Sequence, residues 1–147
     1  MKQKGFATIF GLCLMLIVAL IVKGIQESEA NHAREVLNFE MEQALQNAAE
    51  SGIVEASKRV KDKTFAAGKI WTDTKDFKQG EQIIPINIEV FGERGNIYVG
   101  NKAKAGIYFM SRAFMNSKFF GKNIYRRAYG YVLDADDEKK IYFMELP

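Results

Sequence analysis

Few side chains in this sequence have the types and spacing that catalysis or metal binding needs. The chain has one histidine, His32, and one cysteine, Cys13, which excludes a multi-histidine metal centre and an internal disulfide framework. Cys13 lies in an apolar run, where thiolate formation is unfavourable. Because no P-loop, GxSxG or HExxH pattern occurs, we predict neither a catalytic site nor a cofactor.

An acidic run near the C-terminus is the one candidate for cation binding. It contains Asp134, Asp136, Asp137 and Glu138. The run lacks the spaced ligands and the central glycine of an EF-hand loop. We therefore predict a solvated hairpin turn here, and no metal site.

Basic residues form a second candidate surface. The 147 residues carry a net charge of +3, too small for a histone-like protein, but the charge is unevenly distributed. Residues 23–57 hold two basic and seven acidic side chains, whereas residues 58–133 hold fifteen basic and six acidic ones. Candidate contacts for DNA or another polyanion are Arg112, Lys118, Lys122, Arg126 and Arg127, with Tyr125, Tyr129 and Tyr131 available for stacking. Solvent-facing strand positions, or attraction to the acidic segment of neighbouring subunits, are the alternatives; we favour the last.

The element that decides the class of protein is an uncharged run from Phe6 to Val22. As a helix, 17 residues extend roughly 25 Å, which with the next residues is enough to cross a bilayer. Lys2 and Lys4 precede the run and predict a cytoplasmic N-terminus. Three interpretations compete: a cleaved secretory signal, disfavoured because small residues are missing after the run; a plain signal anchor; and cleavage before the run.

The third interpretation rests on a resemblance. A basic leader ending in Lys-Gly, followed by Phe and a long apolar helix, resembles the prepilin signal of type IV pilins and type II secretion pseudopilins. In that family a membrane peptidase cuts after the glycine and methylates the new N-terminus, which implies processing between Gly5 and Phe6. The family usually has glutamate at the fifth mature position, where this sequence has Phe10. Members that lack the acid include minor subunits similar to the tip subunit of secretion pseudopili.

A second link to the family lies in the segment after the apolar run. From Lys23 to Lys61 there is no proline, and apolar residues recur every three or four positions, which predicts one amphipathic helix ending near Val60. The small residues Ala48, Gly52 and Ala56 leave a smooth strip on which a sheet can pack. The segment resembles the AEAG-I segment of PilX-type minor pilins, and with Phe10 these residues are our candidates for packing in a filament.

The remainder of the chain predicts strands. We expect a connecting loop over residues 64–80, with Gly68 as a helix stop, and then a strand at Gln82–Phe91, whose Pro85 indicates an edge position. GERG, residues 92–95, is a turn signal, and residues 96–99 form a short return strand. Further strands are expected at residues 106–115, 124–133 and 140–146, the last two forming a hairpin.

Taken together, the sequence predicts an α+β, pilin-like fold: a long N-terminal helix, its first half in the membrane, packed on a small C-terminal antiparallel sheet. The expected segments are a leader (1–5), a transmembrane or filament-core helix (6–25), a stalk helix (26–63) and a globular head (64–147). The resemblance implies a minor pilin or pseudopilin, priming a filament or lying at its tip. Its expected partners are other pilin subunits through the N-terminal helix, the prepilin peptidase and the cytoplasmic membrane. A signal-anchored protein and a DNA-receptor pilin are the alternatives.

Overall fold

The computed structural model describes the backbone of residues 2–117, 122–136 and 138–144, and the side chains of these ranges except 2–7, 79, 117 and 122. The chain divides into two compact units, Met1–Glu40 and Met41–Pro147. The elements are helix α1 (Lys2–Lys61) and strands β1 (Ile70–Gln79), β2 (Gln82–Val99), β3 (Lys102–Ser117), β4 (Lys122–Leu133) and β5 (Ile141–Met144). The α+β class, with a long N-terminal helix and an antiparallel sheet, is confirmed.

Helix α1 ends where the sequence provides charge and a backbone reversal. Its last turn contains Lys58, Arg59 and Lys61, whose positive charge suits the negative end of the helix dipole. Lys63 then takes a left-handed conformation with φ 56°. The amides of Thr64 and Phe65 both donate to the carbonyl of Arg59, at 2.9 and 3.1 Å. These bonds satisfy a carbonyl that the ended helix leaves without an intrahelical partner.

The five strands form one antiparallel sheet in chain order, β1-β2-β3-β4-β5. Short turns join β1 to β2 and β2 to β3, and Gly80 and Gly100 in these turns have φ of 57° and 62°. Glycine takes this left-handed conformation without a side-chain penalty. The sheet is therefore a simple meander, with contacts between strands that are close in sequence.

One face of the sheet, which we call the inner face, is covered by the helix segment from Met41 onward. Alternate strand residues point to it, including Ile88, Val90 and Phe109, and all three are buried. The helix contributes Met41, Leu45, Ala48, Ala49, Ile53 and Ala56 to the same core. Apolar area removed from water along this single layer boundary is what stabilises the second unit.

Three local expectations from the sequence are wrong. Residues 64–80 are not a loop, because β1 occupies Ile70–Gln79. The strand was not predicted because its sequence is mostly polar. β1 lies at the sheet edge, and of its apolar side chains only Trp71 and Phe77 are packed against the core. Gly68 is not the helix stop. It lies seven residues after the end of the helix, and its amide donates to the carbonyl of Gly92 at 2.8 Å.

The GERG segment is the third error, because β2 continues through it as one strand of 18 residues. Gly92 serves close packing instead of a turn: a Cβ there would lie 2.8 Å from Cε1 of Phe65. The predicted edge position of Pro85 is correct only locally. β2 is an interior strand, but its pairing with β3 begins at Asn87, so Pro85 faces a partner on the β1 side alone.

Candidate functional site

The N-terminal part of α1 is apolar and exposed. From Thr8 the helix is long and apolar enough to cross a membrane, and no residue of its most apolar stretch is buried. Phe10 is 60% exposed, and Cys13 is exposed as well. In water such a surface would be unfavourable along its whole length. The segment is therefore a possible transmembrane helix.

The predicted processing site, Gly5 and Phe6, lies among residues 1–7, whose side chains are outside the described part of the structure. Cleavage between these two residues stays a prediction. The same holds for the orientation that Lys2 and Lys4 predict.

The small-residue strip of α1 lies against the inner face of the sheet. Ala48 and Ala56 are 3% and 0% exposed, and Gly52 is buried between them. A Cβ on Gly52 would lie 2.5 Å from Oγ of Ser111 and 2.9 Å from methyl carbons of Ile88 and Val90. The strip thus allows close approach of helix and sheet within one chain. Of the four residues expected to pack in a filament, only Phe10 is exposed.

The candidate polyanion contacts do not form one cluster. Arg112 and Arg127 are direct partners across β3 and β4 and lie on the face opposite the helix, which we call the outer face. Arg126 points to the inner face, where its Nη2 lies 2.8 Å from a carboxylate oxygen of Glu42 on the helix. Lys118 and the side chain of Lys122 are outside the described residues. The polyanion hypothesis stays a prediction, carried by fewer residues.

On the outer face, Arg112 and Arg127 differ in their partners. Arg112 donates to Glu89 at 2.7 Å and lies over the ring of Phe114 at 5.3 Å. The guanidinium of Arg127 lies 5.3 Å from the ring centre of Tyr125. Within the described residues, no carboxylate forms an ion pair with it. Arg127 is therefore a cation on an aromatic surface that can still accept an anionic partner.

Strand register arranges the outer face in rows. The apolar row, which crosses all five strands, consists of Ile70, Phe91, Met110, Tyr129 and Met144. Next to it lies the charged row, formed by Glu89, Arg112 and Arg127. A third row lies on the other side of the apolar row and consists of Glu93, Tyr108, Tyr131 and Tyr142. The rings of Tyr131 and Tyr142 are stacked with their centres 5.1 Å apart.

Two shallow depressions follow these rows. A groove of about 250 Å³ is lined by the apolar side chains of Ile70, Phe91 and Met110 and by the charged side chains of Glu89, Arg112 and Arg127. A larger one of about 400 Å³ extends across Met110 and Tyr129 toward Glu93 and Tyr108. Apolar side chains next to charged ones are also found in surfaces that bind another molecule.

Of the acidic run, Asp134, Asp136 and Glu138 are described, and they lie in the connection between β4 and β5. Asp134 lies 3.9 Å from Arg94, and Glu138 lies 3.1 Å from Lys140. Asp136 accepts a hydrogen bond from the amide of Lys140 at 3.2 Å. No group of metal-ligating side chains occurs among the described residues, and Asp137 is outside them. His32 is exposed on α1.

Sequence reasoning missed the strand that completes the outer face. A fold without β1 would lack Ile70 in the groove. It would also lack the contact of the Arg59 guanidinium with Trp71, 4.2 Å from the ring centre. The signal was the isolated pair Ile70-Trp71 at the start of a polar segment.

Comparison of the chain with protein-family models, curated proteins and solved structures found no match.

Proposed function

We propose that this chain is a minor pilin or pseudopilin, a structural subunit of a type IV pilus or a type II secretion-like filament. Three features support the proposal: the prepilin-like signal ending at Gly5 and Phe6, the apolar helix after it, and the meander that packs on a small-residue strip. The observation that carries most weight is the exposed apolar stretch in the N-terminal part of the helix described from Thr8 onward. A surface of this kind needs lipid or other helices around it.

The proposed role is mechanical. The apolar helix is held in the cytoplasmic membrane with its N-terminus inside, as the lysines of the leader predict. It then moves into the helical core of a filament, where contacts with other subunits replace contacts with lipid. Because lipid tails are as apolar as the helix, this transfer depends on packing between helices and not on the hydrophobic effect.

Phe10 bears on the place of this subunit in the proposed filament. A glutamate at the fifth mature position would have to be neutralised in lipid by a charged partner, which the family is thought to supply from a neighbour. Phe10 is 60% exposed and has no such requirement. A subunit that forms no such pair suits the start of assembly or the tip of the filament.

The test is the mass of the N-terminal peptide after co-expression with a prepilin peptidase. We expect a peptide that begins at Phe6 and carries one methyl group. Gly5→Ala is expected to block cleavage, and Gly11→Ala, in the same helix with no atom near its Cβ position, serves as the matched control. An intact leader beside a peptidase that cuts a reference prepilin contradicts the proposal.

The same experiment separates the alternative. A signal-anchored protein that never assembles keeps Met1 and the leader lysines in the membrane-bound form. In such a protein Gly5→Ala changes the mass of the intact chain only by the added methylene group and leaves the amount of protein unchanged.

A further inference from the structure

The edge of the sheet at β1 is open in the described part of the chain. β1 pairs with β2 over its whole length, from Ile70 opposite Phe91 to Gln79 opposite Gln82, and no described strand lies on its other side. Backbone N–H and C=O groups that point away from β2 therefore have no partner in a strand ladder. Such an edge can pair with an extended segment of another chain.

Two observations identify the residues whose backbone groups point away from β2. The amide of Thr74 donates to Oδ1 of Asp73 at 2.8 Å. Asp76 lies opposite Pro85, which has no N–H to donate across the ladder. Every second residue of an antiparallel strand bonds to the same neighbouring strand, so the two observations agree. Thr72, Thr74 and Asp76 therefore direct their N–H and C=O groups to the open edge.

A groove lies on the inner face beside this edge, between β1 and helix α1. We call it the edge groove; its volume is about 460 Å³, and Val54, Lys58, Trp71 and Lys75 are among the residues that line it. Val54 is 37% exposed, and Nζ of Lys75 donates to Oγ of Ser51 on the helix at 2.6 Å. Side chains of a strand alternate between the two faces of a sheet. Every second side chain of a strand added to β1 therefore points to the side of the edge groove.

The edge groove has more basic than acidic side chains. Lys58, Arg59 and Lys75 line it, against Glu55 and Asp73. Glu55 lies 3.7 Å from Nζ of Lys58 and 3.9 Å from Nε of Arg59. Lys75 forms no ion pair with a described carboxylate. Its ammonium group can therefore still bind a carboxylate of another chain.

We propose that β1 binds an extended acidic segment of another protein, which joins the sheet as a further strand and places a carboxylate next to Lys75. An extended polypeptide fits the open groups of Thr72, Thr74 and Asp76, because it presents an N–H and a C=O to the same side at every second residue. A residue opposite Lys75 shares its face of the sheet, and opposite charges at such positions attract. The choice of a different protein rests on the proposed function, because a tip or priming subunit has no second copy beside it.

Asp73 opposes the addition of a strand. Its carboxylate accepts a hydrogen bond from the Thr74 amide, which the added strand has to take over. It also lies two residues from Lys75 on the same face, where it repels an acidic side chain. A segment replaces it only when the ladder hydrogen bonds and the pair with Lys75 together are stronger, which limits unspecific pairing at this edge.

The test uses the full chain in detergent micelles and the nonapeptide TVTETVTET with blocked ends, whose valines and glutamates share one face of a strand. Trp71 is the only tryptophan of the chain and lines the edge groove, so its fluorescence reports binding. We expect a saturable change in this fluorescence. Hydrogen exchange is expected to slow at the amides of Thr72 and Asp76 and to stay the same at those of Asp73 and Lys75, which already bond to β2.

Two variants of β1 test the role of its charges. Lys75→Glu is expected to lower the affinity for the peptide by about five-fold or more and to favour the peptide TVTKTVTKT, which has lysine in place of glutamate. Asp73→Ala is expected to raise the affinity for TVTETVTET by about three-fold, because it frees the Thr74 amide and removes a repelling carboxylate. If Lys75→Glu does not fold, as judged by circular dichroism, Lys75→Gln takes its place, with an expected loss of about three-fold.

Lys104→Glu is the matched control for the reversal of charge. Lys104 is exposed and lies opposite Ile97, whereas Lys75 lies opposite Ile86, so the two lysines are about 36 Å apart along β2. This variant should leave the affinity unchanged. The control for the peptide is TVTETVTET methylated on its threonine nitrogens, which keeps the side chains, removes the donors that face β1 and should not bind.

Several results would overturn the proposal. They are equal binding of the methylated peptide, slower exchange at consecutive amides of β1, and an affinity that does not depend on Lys75. A fluorescence change of the same size with inorganic phosphate would indicate a site for small anions instead. A dimer in sedimentation without peptide, with the amides of Thr72 and Asp76 already slow, would show that a second copy occupies the edge. Failure of the peptide to bind rejects the strand addition alone, while an uncut leader rejects only the filament function.

Discussion

Oγ of Ser111 occupies the space that a side chain at Gly52 would need. A Cβ on Gly52 would lie 2.5 Å from this oxygen, well inside van der Waals contact. Helix and strand can approach this closely only because position 52 has no side chain. The pair fixes where the helix segment from Met41 onward lies on the inner face.

The first prediction is that Gly52→Ala destabilises the second unit although alanine is the better helix former. Overpacking costs about 1–3 kcal/mol, and the gain in helix propensity offsets about 1 kcal/mol of it. We expect a net loss of roughly 1 kcal/mol in the free energy of unfolding, measured by denaturant unfolding of the full chain in detergent. Combination with Ser111→Ala should recover part of it. A more stable Gly52→Ala variant would contradict the close approach.

The second prediction concerns the Ser111 hydroxyl itself. Its oxygen is buried and has no hydrogen-bond partner among the described residues, and an unsatisfied buried hydroxyl is unfavourable. Ser111→Ala alone should therefore leave stability unchanged or raise it by up to about 1 kcal/mol.

Ser57→Ala is the matched comparison for Ser111. Ser57 is also buried, 3% exposed, but its hydroxyl donates to the carbonyl of Val54 at 2.9 Å. We expect a loss of about 0.5–1 kcal/mol from the missing hydrogen bond. Equal losses for Ser57→Ala and Ser111→Ala would show that Ser111 has a partner after all.

A third prediction uses two glycines of β2. Gly92→Ala should destabilise the sheet by about 1–3 kcal/mol, because its Cβ would meet the ring of Phe65. Gly95→Ala, three residues later in the same strand, meets nothing within 4 Å and should be neutral or slightly stabilising. The melting temperatures of both variants distinguish the two structures. In a closely packed strand only Gly92→Ala lowers the melting temperature, whereas in a turn Gly95→Ala would lower it as well.

The fourth prediction concerns the residue that reverses the chain after α1. Lys63 has a φ of 56°, a conformation that costs a side-chain-bearing residue roughly 1 kcal/mol relative to glycine. Lys63→Gly should raise the free energy of unfolding by about that amount. Lys61→Gly, in the last helical turn, should lower it by up to about 1 kcal/mol. The opposite order would contradict the helix end at Lys61.

The sequence predicted the elements whose patterns are strong. The apolar run and the three-four spacing after it predicted one helix to within two residues of its end, and the strands predicted at residues 106–115 and 124–133 lie within β3 and β4. The strand β1 was missed because its edge position lets polar residues such as Asp73 and Lys75 replace the apolar alternation. The continuous β2 was missed because the sequence alone does not distinguish a glycine needed for close packing from a glycine needed for a turn.

The surfaces were harder to predict than the elements. Arg126 and Arg127 are adjacent in sequence, yet successive strand residues point to opposite faces, so one pairs with the helix and the other lies on the outer face. Which face a residue takes depends on strand register, and for Arg126 and Arg127 the register is that of β4 with β3. Only the pairing of β1, β2, β3 and β4 brings Ile70, Met110 and Arg127 to one groove.

The most direct test of the filament function follows the chain in cells that assemble pili or secretion filaments. Membranes and sheared fibres are separated, and the N-terminus of this polypeptide is determined in each fraction. The account predicts a chain in the fibres that begins at methylated Phe6, and fewer fibres when Gly5→Ala prevents its release. Fibres that form in normal number without this polypeptide, while it stays in the membrane with its leader uncut, would contradict it.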